Sequence, residues 1–389
     1  TIVLADMAAK GELKLDDPAR SLLPSGVKMP ARNGREITLY NLATHTSGLP
    51  RIPSNMIDMD ETNPYADYTP EKLYAFLNGY ELSRPVGGES SYSNLGMGLL
   101  GHLLSLRAGT SYEQLVLSRI CAPLGMTGTR ITLTREDSAH LAVGHDAGGK
   151  AVRNWDFDAL AGCGALRSTA DDMLRFLAAN MGLIDSPLLP AMRETHRKRE
   201  SLGIEGMDIG LGWQIQTRDG VKTVWHNGGT GGYRSFAGFA PDKGLGVVVL
   251  TNAFCEIDDI GLHLLNPAVP LADFEKPREI ELPESALRRY EGYYELQPGV
   301  VFSIKVRDGN LSAQLTGQPA LVVYPESETV FFYKEVPARL EFKLNEEGEA
   351  ASLVLYQNGL SLPARKLGTD YTPPPAPVAV KLERDMMRQ

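Results

Sequence analysis

The chain opens on apolar positions at near-helical spacing. In "TIVLADMAAKGELKLDDP", Ile2, Val3, Leu4 and Met7 share a stretch closed by Gly11, the pattern of the second half of a buried helix entered mid-course. "TPEKLYAFLNGY" predicts a helix with Thr69 as N-cap and Pro70 at its first position. "SNLGMGLLGHLLSLRAG" is apolar nearly all round, so it predicts a buried helix starting just after Tyr92. "TSYEQLVLSRI" carries the capping-box pair Thr110 and Glu113, and "STADDMLRFLAAN" predicts a helix capped by Ser168 with Asp171 in its first turn.

The period then shortens. "LGWQIQTRD", "KTVWHNGG", "YRSFAGFAP" and "LGVVVLTN" are strand-like runs separated by turn residues, as in an antiparallel meander. Helices followed by clustered strands predict an α+β domain over residues 1–275, an antiparallel sheet flanked by helices. From Tyr290 to Leu367 short alternating segments, such as "VFSIKVRDGNLSAQL" and "TVFFYK", predict a small closed antiparallel β-barrel, placed at 279–368. Residues 369–389 are Pro-rich and then charged, which reads as an extended tail.

Composition removes several classes of function. With a formal net charge of -9 and no cluster of Lys and Arg, the 389-residue chain lacks the footprint that nucleic acid or an anionic membrane rewards. Cys121, Cys163 and Cys255 are odd in number and scattered, so they read as buried free thiols rather than a disulfide or metal framework. No apolar run is long enough for a transmembrane segment, and Asp6 interrupts what a signal peptide would keep apolar. Gly-x-Ser-x-Gly, His-Glu-x-x-His and Walker motifs are absent, and His140 and His145 read as surface loop, so neither a metal nor a cofactor is expected.

Two short stretches carry candidate chemistry. "SYSN" at 91–94 sets a phenol and a carboxamide beside the start of a buried helix, where Tyr92 could relay a proton and Asn94 could orient a substrate amide. "HNGGTGG" at 226–232 offers the His226 imidazole and a glycine backbone whose N–H groups could stabilise an oxyanion. Each also has a bland reading, a turn with an Asn cap in the first case and a Gly-rich hairpin with an incidental His in the second.

Taken in order, and with "GELKLDDPARSLLP", "ITLYNLATHTSGLP", "CAPLGM" and "AGCGALRSTADDMLRFL", these stretches resemble the serine β-lactamase and penicillin-binding-protein superfamily over nearly all of residues 1–255. The resemblance is to the branch of class C β-lactamases, DD-carboxypeptidases and endopeptidases, and family VIII esterases. It implies a β-lactamase/transpeptidase-like domain followed by a lipocalin-like barrel, and acyl-enzyme hydrolysis of D-alanyl peptides, β-lactams or small esters without a cofactor. Tyr92 would be the proton relay, Asn94 would bind the amide of the acyl side chain, and His226 would stand where a Lys usually assists the Tyr. Gly228, Gly229 and Thr230 would bind substrate, the Gly229 N–H as half of the oxyanion hole. An exported, periplasmic location follows from the same resemblance, with any signal lying upstream.

One element of the family pattern is not among these residues. In relatives Ser-x-x-Lys directly precedes the helix that "TIVLADMAAKGEL" resembles, so it is expected roughly seven or eight residues before Thr1. The Ser-x-x-Lys present, Ser25-Gly26-Val27-Lys28, falls in a Pro- and Gly-rich loop, whereas the chemistry needs both groups one turn apart on a helix. The chain therefore reads as N-terminally truncated and inactive by itself. The alternative is a non-catalytic protein that binds peptidoglycan-like peptides or a protein partner. His45 and Ser47 of "THTSGL" read as a helix-end turn.

Overall fold

In the computed structural model the opening apolar run forms the helix Ile2–Ala9, with Ile2 through Met7 buried. Its one charge in that stretch, Asp6, is compensated: Arg119 reaches the carboxylate at 2.9 Å and Lys10 at 2.8 Å, while the same guanidinium pairs with Glu12. A buried carboxylate stays ionised only with such partners. The structure describes residues 1–56, 60, 62–272, 278–297, 300–316, 318, 320–334, 336, 338–357, 360–368 and 371–372, so most of the expected tail lies outside the described residues. The chain divides into two units, Thr1–Asp273 and Phe274–Gln389.

The helix Asn94–Ala108 is the spine of the helical part. Ser93 caps it by accepting the Gly96 N–H at 2.8 Å, and Gly109 ends it in the left-handed region at φ 65. Leu95, Leu99, Leu100, Leu103 and Leu104 are buried on it. Gly101 is needed there because a Cβ would lie 2.8 Å from the Gly162 Cα of the turn that crosses it.

Thr69 and Pro70 start the helix Pro70–Gly79 as expected, but two other caps fall one residue later than the sequence suggests. Thr110 gives its N–H to the Ser105 carbonyl and so belongs to the end of the preceding helix. Ser111 then accepts the Gln114 N–H, and Glu113 turns away to take the N–H groups of Ile131 and Thr132 at 2.7 Å each. Likewise Thr169 caps Ala170–Met181, because the Ser168 hydroxyl is engaged by Thr129 at 2.7 Å.

The strand-like runs become part of a six-stranded antiparallel sheet whose spatial order follows the chain: Glu200–Ile204, Met207–Ile209, Gln214–Arg218, Val221–Thr230, Tyr233–Ala240 and Leu245–Thr251. The first two strands are short, with Gly203 inside the first and Gly206 between them, and their sequence carries no strand pattern. Alternation puts Val224 and Phe239 on the face that meets Phe176 and Leu177 of Ala170–Met181, and Trp225 and Phe236 on the face that meets Asp258–Leu265.

On that second face the packing is close enough to forbid a methyl group. A Cβ at Gly261 would sit 2.2 Å from the fully buried Phe236 ring. Gly261→Ala is therefore expected to lose about 1–3 kcal/mol of stability through overpacking, read as an earlier midpoint in chemical denaturation. An unchanged midpoint would show that the helix can lift without cost.

The second unit contains an eight-stranded closed barrel, from Gly292–Gln297 to Leu360–Lys366, in which every strand pairs with its neighbour in sequence and the last returns to the first through Arg365↔Glu295. Inward residues fill it: Tyr290, Tyr294, Phe302, Phe331, Leu340 and Phe342 are buried together, and Phe331 and Phe342 meet edge to face. Only Cys121 of the three thiols is buried. Cys163 is partly buried and Cys255 exposed, which corrects the reading of all three as core residues.

Candidate active site

The Tyr92 loop is held by residues 44–51, which run beside it. The Ser91 and Leu95 N–H groups donate to the carbonyls of His45 and Arg51 at 2.8 and 3.1 Å, and the Ser93 hydroxyl donates to the Pro50 carbonyl at 2.6 Å. Tyr92 is 39% exposed, as expected of a residue at a cleft rim. Burial of the rest of the ring pushes its phenol up, and the Arg51 charge opposes that shift. Asn94 opens the buried helix and donates from its amide to the Tyr65 hydroxyl at 3.2 Å; Tyr65 in turn stacks on Phe157, centroids 4.6 Å apart.

His226 lies on Val221–Thr230, and its ring centroid is 6.2 Å from that of Tyr92. The fold thus joins two groups more than a hundred residues apart in the chain. Nδ1 of His226 faces the Asn227 carbonyl at 2.5 Å. A carbonyl can only accept, so Nδ1 carries the proton and Nε2 keeps its lone pair. Burial lowers the imidazole below its ordinary 6.5, which favours the neutral ring that can accept a proton.

Gly228, Gly229 and Thr230 continue the same strand, Gly228 and Thr230 on the face of His226. This strand is internal to the sheet, yet pairing with Gln214–Arg218 stops at Trp225↔Gln214 while pairing with Tyr233–Ala240 runs to Thr230. Beyond Trp225 one edge of its backbone has no neighbouring strand among the described residues, which leaves main-chain groups of the glycine-rich end for another partner. Asn227 faces the opposite side of the sheet and donates to the Asp258 carboxylate, whose pKa burial and then Glu256 raise to about 6.

A cavity of about 440 Å³ adjoins the site, with Thr1, Met97, Tyr112, Phe176, Trp213 and His226 among its walls. It touches His226 and not Tyr92 or Asn94. Among the described residues no group of His, Cys, Asp and Glu is arranged to hold a metal ion, and no helix is long and apolar enough to cross a membrane. Ser25 and Lys28 are exposed and lie outside any helix, after the short turn Ala19–Leu22.

A feature that sequence reasoning missed is His45, set aside as part of a helix-end turn. It is 3% exposed, and its ring lies 4.6 Å from that of Tyr92. Burial first, then the neighbouring His226 and Arg51, lower its pKa to about 3; burial first, then Lys222 and Arg193, lower that of His196 to about 4. Both rings stay neutral in the folded chain while their unfolded counterparts take up protons below 6.5. Their stabilising contribution is thus complete above 6.5 and is lost as pH falls toward 4 and then 3. Asp258, raised, acts with the opposite sign. Stability is expected to drop by about 1.4 kcal/mol per pH unit for each histidine in that window. Denaturation at pH 7 and pH 5 checks this, and His196→Phe should flatten the dependence. An identical pH slope in that variant would contradict the assignment.

The fold thus sets an antiparallel sheet with a buried helix beside it, a Tyr-x-Asn loop at that helix's start and a His-x-Gly strand end facing the Tyr in one region. A family model described as Beta-lactamase matches residues 1–262, and the chain belongs to that family. A second, described as a domain of unknown function (DUF3471), matches residues 276–368. The chain is similar to the D-alanyl-D-alanine-carboxypeptidase/endopeptidase AmpH of Escherichia coli, 29% identical over 263 residues that cover 64% of this chain and 66% of AmpH. It thus spans just under two thirds of that protein's length. Penicillin-binding protein 4* of Bacillus subtilis is 28% identical over 353 residues, covering 83% of this chain and 76% of that protein. Among solved structures, a β-lactamase/D-alanine carboxypeptidase from Yersinia pestis complexed with citrate superposes with a TM-score of 0.59 at 27% identity, over 70% of this chain and 80% of that one. The octameric penicillin-binding protein homologue from Pyrococcus abyssi shares the fold, with a TM-score of 0.59 at 22% identity over 94% of this chain and 86% of that one.

Proposed function

We propose that this protein is a serine hydrolase that cleaves D-alanyl peptides, β-lactams or small esters through an acyl-enzyme, with the nucleophile and its Lys one turn apart on a helix-borne Ser-x-x-Lys, which the exposed loop Ser25-Gly26-Val27-Lys28 does not provide. The observation that carries the reading is the meeting of the Tyr92 and His226 rings at 6.2 Å, with Nε2 of His226 an acceptor that has no hydrogen-bond partner among the described residues. Tyr92 relays the proton between nucleophile and leaving group, neutral His226 assists it, and Asn94 orients the acyl side chain's amide. The Gly229 N–H, on the stretch where the strand has lost one neighbour, supplies half of an oxyanion hole, and Gly228 and Thr230 line the substrate's path. AmpH, named for action on D-alanyl-D-alanine, supports a peptide substrate. An exported location belongs to the same reading.

By itself the 389-residue chain binds such substrates and does not cut them, since an acyl-enzyme needs an activated hydroxyl. Titration with a D-alanyl-D-alanine tripeptide, followed by amide NMR, tests the site without turnover. The signals of Tyr92, Asn94 and Gly229 are expected to move, and Asn94→Ala to weaken binding by up to about tenfold, the worth of one hydrogen bond. Shifts confined to the barrel would overturn the assignment.

A further inference from the structure

The turn that seats Tyr92 does more than hold a loop. The helix Leu39–Ala43 ends at Thr44, and His45 then adopts φ 57, a left-handed conformation that few residues other than glycine take up. Its carbonyl receives the Ser91 N–H at 2.8 Å and its ring Nδ1 receives the Ser93 N–H at 3.2 Å. These are the two residues flanking Tyr92. A backbone N–H can only donate, so Nδ1 is the acceptor, the proton resides on Nε2, and a doubly protonated ring could not make this bond. The same imidazole lies 4.6 Å from the Tyr92 ring, tilted by 43°.

The far end of the turn contributes a charge. The Arg51 guanidinium carbon lies 5.0 Å from the centre of the Tyr92 ring, and the Arg51 carbonyl fixes the Leu95 N–H at the start of the buried helix. Of the titratable groups around the phenol, His45 and His226 are held neutral by burial, burial pushes the Tyr65 phenol up, and it pushes the Cys163 thiol up to about 12. Arg51 brings a guanidinium to this set.

We propose that His45 and Arg51 are positioning residues for Tyr92: His45, as a neutral imidazole, fixes where the phenol stands, and Arg51 supplies the positive charge that a phenolate there would meet. The inference rests on the relay role of Tyr92 and adds the source of its electrostatic support, which falls to Arg51 and not to His226. A cation near an acid favours its ionised form, so Arg51 eases loss of the Tyr92 proton and keeps more of the phenolate available to act, while His45 stops the ring from swinging out of reach of His226.

The test needs no turnover. In the 389-residue chain carrying tyrosine labelled with 13C at the ring carbon bearing oxygen, Tyr92→Phe identifies the Tyr92 signal, whose titration is then followed. Arg51→Gln is expected to move that titration to higher pH and Arg51→Lys to bring it back toward the wild-type position. The 15N signals of His45 should show a bare Nδ1 and a protonated Nε2, with no titration between about pH 5 and 9. His45→Phe, which keeps a ring but loses the acceptor, should displace the Ser93 amide and Tyr92 signals, whereas His45→Asn, able to accept a hydrogen bond and to adopt positive φ, should displace them less. Should the His45 variants fail to fold, the Arg51 pair and the wild-type 15N signals decide alone. A Tyr92 titration unmoved in Arg51→Gln, or a proton on Nδ1 of His45, overturns the proposal. Normal acylation by an enzyme showing either result would overturn this clamp and leave the hydrolase reading standing.

Discussion

Tyr92→Phe, made in a protein extended upstream to carry Ser-x-x-Lys, is expected to slow acylation by about 10²–10⁴-fold, the usual worth of a positioned proton-transfer group, while substrate affinity changes little. The phenol is partly exposed, so losing its hydroxyl strands no buried partner, and the packing of the ring against His45 and Arg51 is retained. On the proposed reading the substrate would keep its contacts with Asn94 and the Gly229 backbone. Only the proton in flight loses its carrier. Stopped-flow acylation by a fluorescent penicillin over a range of concentrations separates the two constants. Equal losses in rate and affinity would make Tyr92 a binding residue and remove the relay from the mechanism.

The second large effect concerns His226. Its burial lowers the imidazole, and its Nδ1–H is committed to the Asn227 carbonyl, so the proposed working form is the neutral ring, whose Nε2 has no hydrogen-bond partner among the described residues. Protonation fills that lone pair. Activity of the extended enzyme should therefore rise with pH along a limb lying below 6.5, the ordinary histidine value, and level off above it. His226→Ala should remove the limb and most of the rate, on the order of 10²-fold or more for a general acid–base group. His226→Lys, a cation throughout the neutral range, should carry its own titration several units higher. The pH profile of kcat/KM for the three proteins is the measurement. A limb that persists in a fully active His226→Ala enzyme would reduce His226 to a strand residue.

How much of this was legible depended on whether local chemistry or distant packing decided each feature. The helix Asn94–Ala108 announced itself because burial on all sides leaves an apolar run, and the sheet because alternation and turn residues recur along the chain. The caps at Ser111 and Thr169 were misplaced by one residue. In each case two hydroxyls stand side by side, and the choice was made by a hydrogen bond to a residue elsewhere, the Ser105 carbonyl or the Thr129 hydroxyl. Tyr92, Asn94 and His226 could be named from residue type and order, and the fold brings all three to one region. His45 could not, since its role rests on a positive φ and on two N–H groups nearly fifty residues away. Asn227, adjacent in sequence to His226, serves the other face of the sheet, where it binds Asp258. Strand alternation accounts for the change of face.

The central proposal is that the Tyr92 and His226 walls belong to a serine acyl-transfer site whose nucleophile is not Ser25. Intact-mass spectrometry after exposure to a fluorescent penicillin tests it most directly, applied to the 389-residue chain and to the protein extended upstream. Removing such a nucleophile costs factors on the order of 10⁶ in turnover, so the shorter chain should carry no adduct. The extended protein should carry one, mapped to the Ser of Ser-x-x-Lys. A stoichiometric adduct on the 389-residue chain, above all one mapped to Ser25 in its exposed turn, would contradict the account.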